Sequence, residues 1–221
     1  MHLDLDHHER GTLMAQPTWP PRRVVMAGDS ITEWGRHGDP DDLGTGYVRL
    51  LADGPLAGST VVNAGVGGDR VVDLVARWDV DVLAHDADLV SVHVGVNDTW
   101  RRFDGGEATT AQEFAAAYRS LLAPLVSRGT ALVLLEPFVV PVTPDQAAWD
   151  EDLGPKQAAV RRLAAEVGAA FVPLALPMAA LAADLGPEAV AADGVHPTAL
   201  GHRRIADAWW SAATTRYGGA P

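Results

Sequence analysis

Val24-Val25-Met26-Ala27-Gly28-Asp29-Ser30-Ile31 is an apolar run that ends on a small, acidic, hydroxyl-bearing turn. β-Branched and apolar residues closed by a glycine read as a buried strand, which puts Ser30 at the strand's C-terminal end. In an open parallel α/β sheet, ligands bind at that edge. A serine there does chemistry only if another part of the chain brings a base, and the base an acid that orients it. Asp193-Gly194-Val195-His196-Pro197, near the other terminus, carries both.

Outward from this stretch, similar apolar runs at 60–63, 89–94, 131–135 and 170–173 read as four further strands. Helical patterns separate them at 47–52, 71–78, 110–129 and 146–167, and a last one follows at 198–216. Residues 31–36 read as a short helix and 38–46 as a loop. Phe114, Tyr118, Leu121, Leu122 and Leu125 share one helical face, with Gly129 as the stop. Gly154-Pro155 is expected to break the 146–167 helix. Strands that are apolar throughout, rather than alternating, imply a parallel sheet covered on both faces. The expected fold is an α/β, three-layer α/β/α sandwich with five parallel strands, one domain over 22–217 with tails at 1–21 and 218–221.

The 221 residues are 48% hydrophobic with seven tryptophans, enough for one well-buried domain and short for two. Seventeen basic against 29 acidic residues give a net charge of -12, which argues against nucleic acid and anionic membranes as partners and favours a neutral or cationic substrate. With no cysteine, disulfides, thiol catalysis and thiolate metal sites are excluded. The first residues hold His2, Asp4, Asp6, His7, His8 and Glu9 without an apolar run, so no signal peptide or membrane span is expected, and the cytoplasm is the expected compartment. Nothing near that cluster would fix metal-ligand geometry, so it reads as a solvated tail, within which Met14 is a candidate start. Oligomeric state is left open.

Three strand ends carry polar turns: Gly28-Asp29-Ser30, Gly65-Val66-Gly67-Gly68 and Gly95-Val96-Asn97-Asp98. In a parallel sheet they share one edge, as acyl transfer requires, because a nucleophile must lie close to the donors that receive the developing oxyanion. A glycine N–H and an Asn amide suit that task. Asp193 lies three residues before His196 across a glycine, so its carboxylate can fold back onto Nδ1 and set the tautomer. His196 Nε2 then takes the Ser30 proton and later protonates the leaving group.

The blocks Gly28-Asp29-Ser30-Ile31, Asn63-Ala64-Gly65-Val66-Gly67-Gly68-Asp69, Gly95-Val96-Asn97-Asp98 and Asp193-Gly194-Val195-His196-Pro197 resemble, in order, those of the SGNH hydrolases, also called the GDSL esterase/lipase family. The departures are Ile31, where Leu is frequent, and Gly67, where Ser is frequent. The resemblance implies a flavodoxin-like sandwich and ester hydrolysis with no metal or cofactor. It also implies Ser30 as nucleophile, Asp193 and His196 as its partners, and the Ser30 N–H, the Gly68 N–H and the Asn97 side chain as oxyanion donors. The runs at 32–36, 76–81 and 97–102 are similar to those of bacterial carbohydrate esterases of the acetylxylan type.

Four further residues are candidates for contact with the substrate. Trp34 and Trp100, with Trp149 nearby, offer aromatic faces to an acyl chain or sugar ring. Asp29 is weighed against a role fastening its turn, and Glu136, at the end of the fourth strand, against pairing with an arginine. His93 and His202 read as structural. A dinucleotide fingerprint from Gly65 is set aside because Arg70 stands where its third glycine belongs. The expected function is a serine esterase for small-molecule esters with short acyl groups such as acetyl, since no long apolar lid is apparent. The rivals are an acyltransferase or thioesterase, and a binding module that does no chemistry.

Overall fold

Arg23–Gly28 (β1), Thr60–Gly65 (β2), Leu89–His93 (β3), Ala131–Leu135 (β4) and Ala170–Val172 (β5) form the five strands of a computed structural model that describes residues 18–219. They pair in the order β2-β1-β3-β4-β5, all parallel. The chain leaves β1 for β2 on one side and crosses to β3 on the other, so the order reverses between β1 and β3, where open α/β sheets bind ligands. Gly28 is in register with both Gly65 and His93, so the segments that follow β1, β2 and β3 leave the sheet side by side.

Ten α-helices are assigned among the described residues: Ser30–Glu33 (α1), Tyr47–Asp53 (α2), Val71–Asp81 (α3), Val96–Phe103 (α4), Ala111–Arg128 (α5), Pro144–Ala147 (α6), Asp150–Val167 (α7), Ala175–Leu185 (α8), Pro187–Val190 (α9) and Ala199–Tyr217 (α10). Two cores result from the pleat of the strands. Val24 and Met26 pack with Leu51, Met178 and Trp209 of α2, α8 and α10, whereas Val25 and Ala27 face Leu74, Phe114 and Leu163 of α3, α5 and α7. This is the three-layer α/β/α sandwich expected from the unbroken apolar runs.

Four local expectations are corrected. Gly154-Pro155 does not break its helix, for α7 runs through it, and the break falls at Ala148 and Trp149 instead. Pro155 lies on the exposed side, where water can serve the Glu151 carbonyl that loses its partner. The turn at 95–98 is the start of α4, and α8 and α9 have no counterpart in the sequence reading. Trp19, assigned to a tail over 1–21, instead packs on Trp210 and Tyr217 at ring separations of 5.1 and 6.3 Å. The His, Asp and Glu residues of the far N-terminus and Met14 lie outside the described residues. Among the described residues no helix is long and apolar enough to cross a membrane.

Candidate active site

The close approach of α1 to β2 is possible because residue 65 is glycine: a Cβ there would lie 2.2 Å from the Glu33 N. Asp29 caps α1, its Oδ1 accepting the Ile31 N–H at 3.0 Å, and Ser30 is the first residue of that helix. The turn after β2 brings Gly67 to the same place, where Glu33 Oε2 accepts its N–H at 2.7 Å. Gly68 follows at φ +84, a conformation that favours glycine.

From the far end of the chain, His196 Nε2 reaches Ser30 Oγ at 2.8 Å, and its Nδ1 meets Asp193 Oδ2 at 2.6 Å. Asp193 Oδ1 accepts the N–H groups of His196 and Val195 at 2.7 and 3.0 Å. Burial pushes this carboxyl up, but bonds from the His196 ring and from these two N–H groups outweigh it and hold it below the usual carboxylate range. Gln146 Nε2 donates to the Asp193 carbonyl at 2.6 Å and steadies the loop from α6.

Asn97 is the second residue of α4 and is nearly buried. One N–H of its amide goes to the Asp69 carbonyl at 3.0 Å, which orients the group and leaves the second N–H to another acceptor. The His196 ring lies between two indoles, with Trp34 at 6.0 Å and Trp100 at 6.2 Å. Ser30, Glu33, Trp34, Gly35, Asp193 and His196 line an open depression of about 420 Å³. Among the described residues, no group of three or more His, Asp or Glu side chains is arranged to hold a metal ion.

Two substrate-contact expectations are corrected by burial. Asp29 has no exposed surface and serves its own turn. Glu136 is 2% exposed, with Oε2 accepting the N–H groups of Leu174 and Ala175, both at 3.0 Å, and Oε1 paired with Arg161 at 2.9 Å. It caps α8. Trp149 is buried as well, tilted against Trp100 at 5.5 Å and stacked on Phe103 at 5.7 Å rather than presented to solvent. His93 and His202 are interior rings, and burial pushes their pKa values down to about 3 and about 4. Glu33 and Gln146 were not anticipated, since their partners are main-chain groups far along the chain that leave no pattern in the sequence.

A family model described as the GDSL-like Lipase/Acylhydrolase family matches residues 26–204. Acetylxylan esterase of Geobacillus stearothermophilus is 33% identical over 201 residues, which are 85% of this chain and 91% of that protein. The structure of Axe2, an acetylxylan esterase from the same organism, matches with a TM-score of 0.75 at 32% identity, covering 86% of this chain and 93% of that one. A mutant of Axe2, described as an acetyl-xylooligosaccharide esterase, matches with a TM-score of 0.78 over 90% of this chain and 95% of its own, again at 32% identity.

Proposed function

Because this chain belongs to the GDSL-like lipase/acylhydrolase family and is a carboxylic ester hydrolase, we propose that it cleaves its ester through an acyl-enzyme on Ser30. His196 Nε2 takes the hydroxyl proton as Ser30 Oγ attacks the carbonyl carbon. Asp193 keeps the ring in the tautomer that presents a free Nε2 and stabilises the imidazolium that forms. The negative charge on the former carbonyl oxygen is received by the N–H groups of Ser30 and Gly68 and the free amide N–H of Asn97. His196 then gives its proton to the departing alcohol. In the second half, water attacks the acyl group with His196 again as base, and the acid leaves as Ser30 recovers its proton.

The observation that carries this reading is the continuous path Ser30 Oγ, His196 Nε2, His196 Nδ1, Asp193 Oδ2, with links of 2.8 and 2.6 Å. For the substrate, short acyl groups on acetylated carbohydrate fit best. The depression is open, Trp34 lines it with an aromatic face that a sugar ring can stack on, Trp100 lies 6.2 Å from the imidazole, and the relatives are named for acetylated xylan.

Ser30→Ala should abolish turnover of p-nitrophenyl acetate and labelling by a fluorophosphonate; activity at the wild-type level would end the proposal. Asn97→Ala should lower kcat by about 10²- to 10³-fold. A change within assay error would remove Asn97 from the oxyanion site.

A further inference from the structure

Side chains from α1, α3 and α4 hold the turn that follows β2: from α3, Arg77 Nε donates to Asp69 Oδ2 at 2.7 Å and Asp73 Oδ2 accepts the Arg70 N–H at 2.9 Å, and three others reach it from α1 and α4. Glu33 Oε2 accepts the Gly67 N–H at 2.7 Å, Asn97 Nδ2 donates to the Asp69 carbonyl at 3.0 Å, and Asp98 Oδ2 accepts the Val71 N–H at 3.0 Å. Two adjacent residues of α4 therefore grip the turn at Asp69 and at Val71, on the side where the chain leaves Gly68.

The last of these tethers is the most enclosed. Asp98 has no exposed surface, and among the described residues its Oδ1 has no hydrogen-bond partner. Lys156, also fully buried, fastens the main chain around it: Nζ reaches the Asp98 carbonyl at 3.5 Å and Thr99 Oγ1 at 3.2 Å, and pairs with Asp152. A buried carboxyl with one oxygen unpartnered costs stability, and an apolar side chain of similar volume would pack α4 without that cost. Such a side chain would, however, release the first N–H of α3 and with it the angle at which the chain leaves the glycine turn.

We infer that Asp98 is a positioning residue for the oxyanion site: by holding the Val71 N–H, it locks the turn that carries Gly68 to the helix that carries Asn97, so that both donors converge on one oxygen. The inference rests on the reading of Gly68 and Asn97 as oxyanion donors. Asp98 itself touches no substrate. Its contribution is to pre-set a distance between two groups that come from different strand ends, where small misplacements cost rate rather than binding.

Asp98→Ala removes the acceptor. With p-nitrophenyl acetate, kcat should fall at least about tenfold with KM within about twofold of wild type, and affinity for phenylboronic acid, whose tetrahedral adduct occupies the oxyanion site, should fall in parallel. Asp98→Asn keeps a carbonyl oxygen for the Val71 N–H and should recover most of the loss. Val71→Pro deletes the donor instead. It suits the fold, since Val71 is the first residue of α3 and Arg70 before it is already extended, at φ -95 and ψ 174. It should reproduce the loss, and the double variant Asp98→Ala with Val71→Pro should be no slower than either alone.

Wild-type kcat in the folded single variants, or losses that multiply in the double variant, would overturn the inference. If Asp98→Ala gives no cooperative thermal transition, Val71→Pro decides alone. Inactive Ser30→Ala and impaired Asn97→Ala beside normal Asp98→Ala and Val71→Pro would remove this inference only. Active Ser30→Ala would remove the acyl-enzyme reading beneath it.

Discussion

Asp29 adjoins Ser30 in sequence, yet it faces the interior. Burial pushes its carboxyl up to about 7, helped by the nearby Asp98 and Asp69 and opposed by the Ile31 N–H. Unfolded, the same group releases its proton near pH 4. Between those values the folded state holds the extra proton, so this contribution to stability is complete at low pH and is lost as pH rises towards 7. Asp29→Asn is uncharged at every pH and still accepts from Ile31. Its Tm relative to wild type should therefore improve from pH 5 to pH 8, and a difference that stays constant would show that Asp29 ionises as an ordinary surface acid. His93 and His202 act in the opposite sense, because rings held neutral by burial make the protein less stable as pH falls below their unfolded value of about 6.5. At this scale the meeting of Ser30, His196 and Asp193 was legible, since a hydroxyl at a strand end and a carboxylate three residues before an imidazole in one short loop form a recognisable pattern. For Asp29 and Glu136 the substrate contact fails and the structural alternative holds, because a polar residue at a strand end looks the same in sequence whether it meets solvent or a helix N-terminus, its own turn's for Asp29 and a distant one for Glu136.

Helix α8 begins on the two N–H groups that Glu136 accepts, so the end of β4 and the start of α8 form one unit. Glu136→Ala would leave those donors unpaired in the interior, at a cost of about 2–4 kcal/mol read from denaturant unfolding, while kcat/KM stays within about twofold of wild type. A large fall in kcat/KM with unchanged stability would return Glu136 to the substrate side. The strands were legible because continuous apolar runs bounded by turns have few other readings, and 131–135 matches β4 residue for residue. Helix α8 was not, for Ala175-Leu176-Pro177-Met178-Ala179-Ala180 is apolar or small all round and has no period to detect. In α4 the polar residues Asn97, Asp98 and Thr99 are all buried, the reverse of what periodicity assumes.

For the whole molecule, the net charge of -12, with Glu33 and Asp193 at the depression, makes a field that draws cations. An acetate ester that carries a quaternary ammonium should lose kcat/KM as salt is raised from about 0.01 to about 0.5 M, whereas the neutral p-nitrophenyl acetate stays level. Equal response of the two esters would remove any long-range steering. The sheet order and its reversal at β1 and β3 bring together Ser30 and His196, which are 166 residues apart in the chain. That separation ties function to the order in which the molecule assembles. A partly organised species in which the first four strands have paired but α10 is still undocked would hold Ser30 without His196, and under the proposed acyl-enzyme mechanism would be inert however native its sheet. Because the most remote contacts bear the largest closure entropy, regained turnover after dilution from urea should mark the final docking step, and should lag behind the recovery of secondary structure.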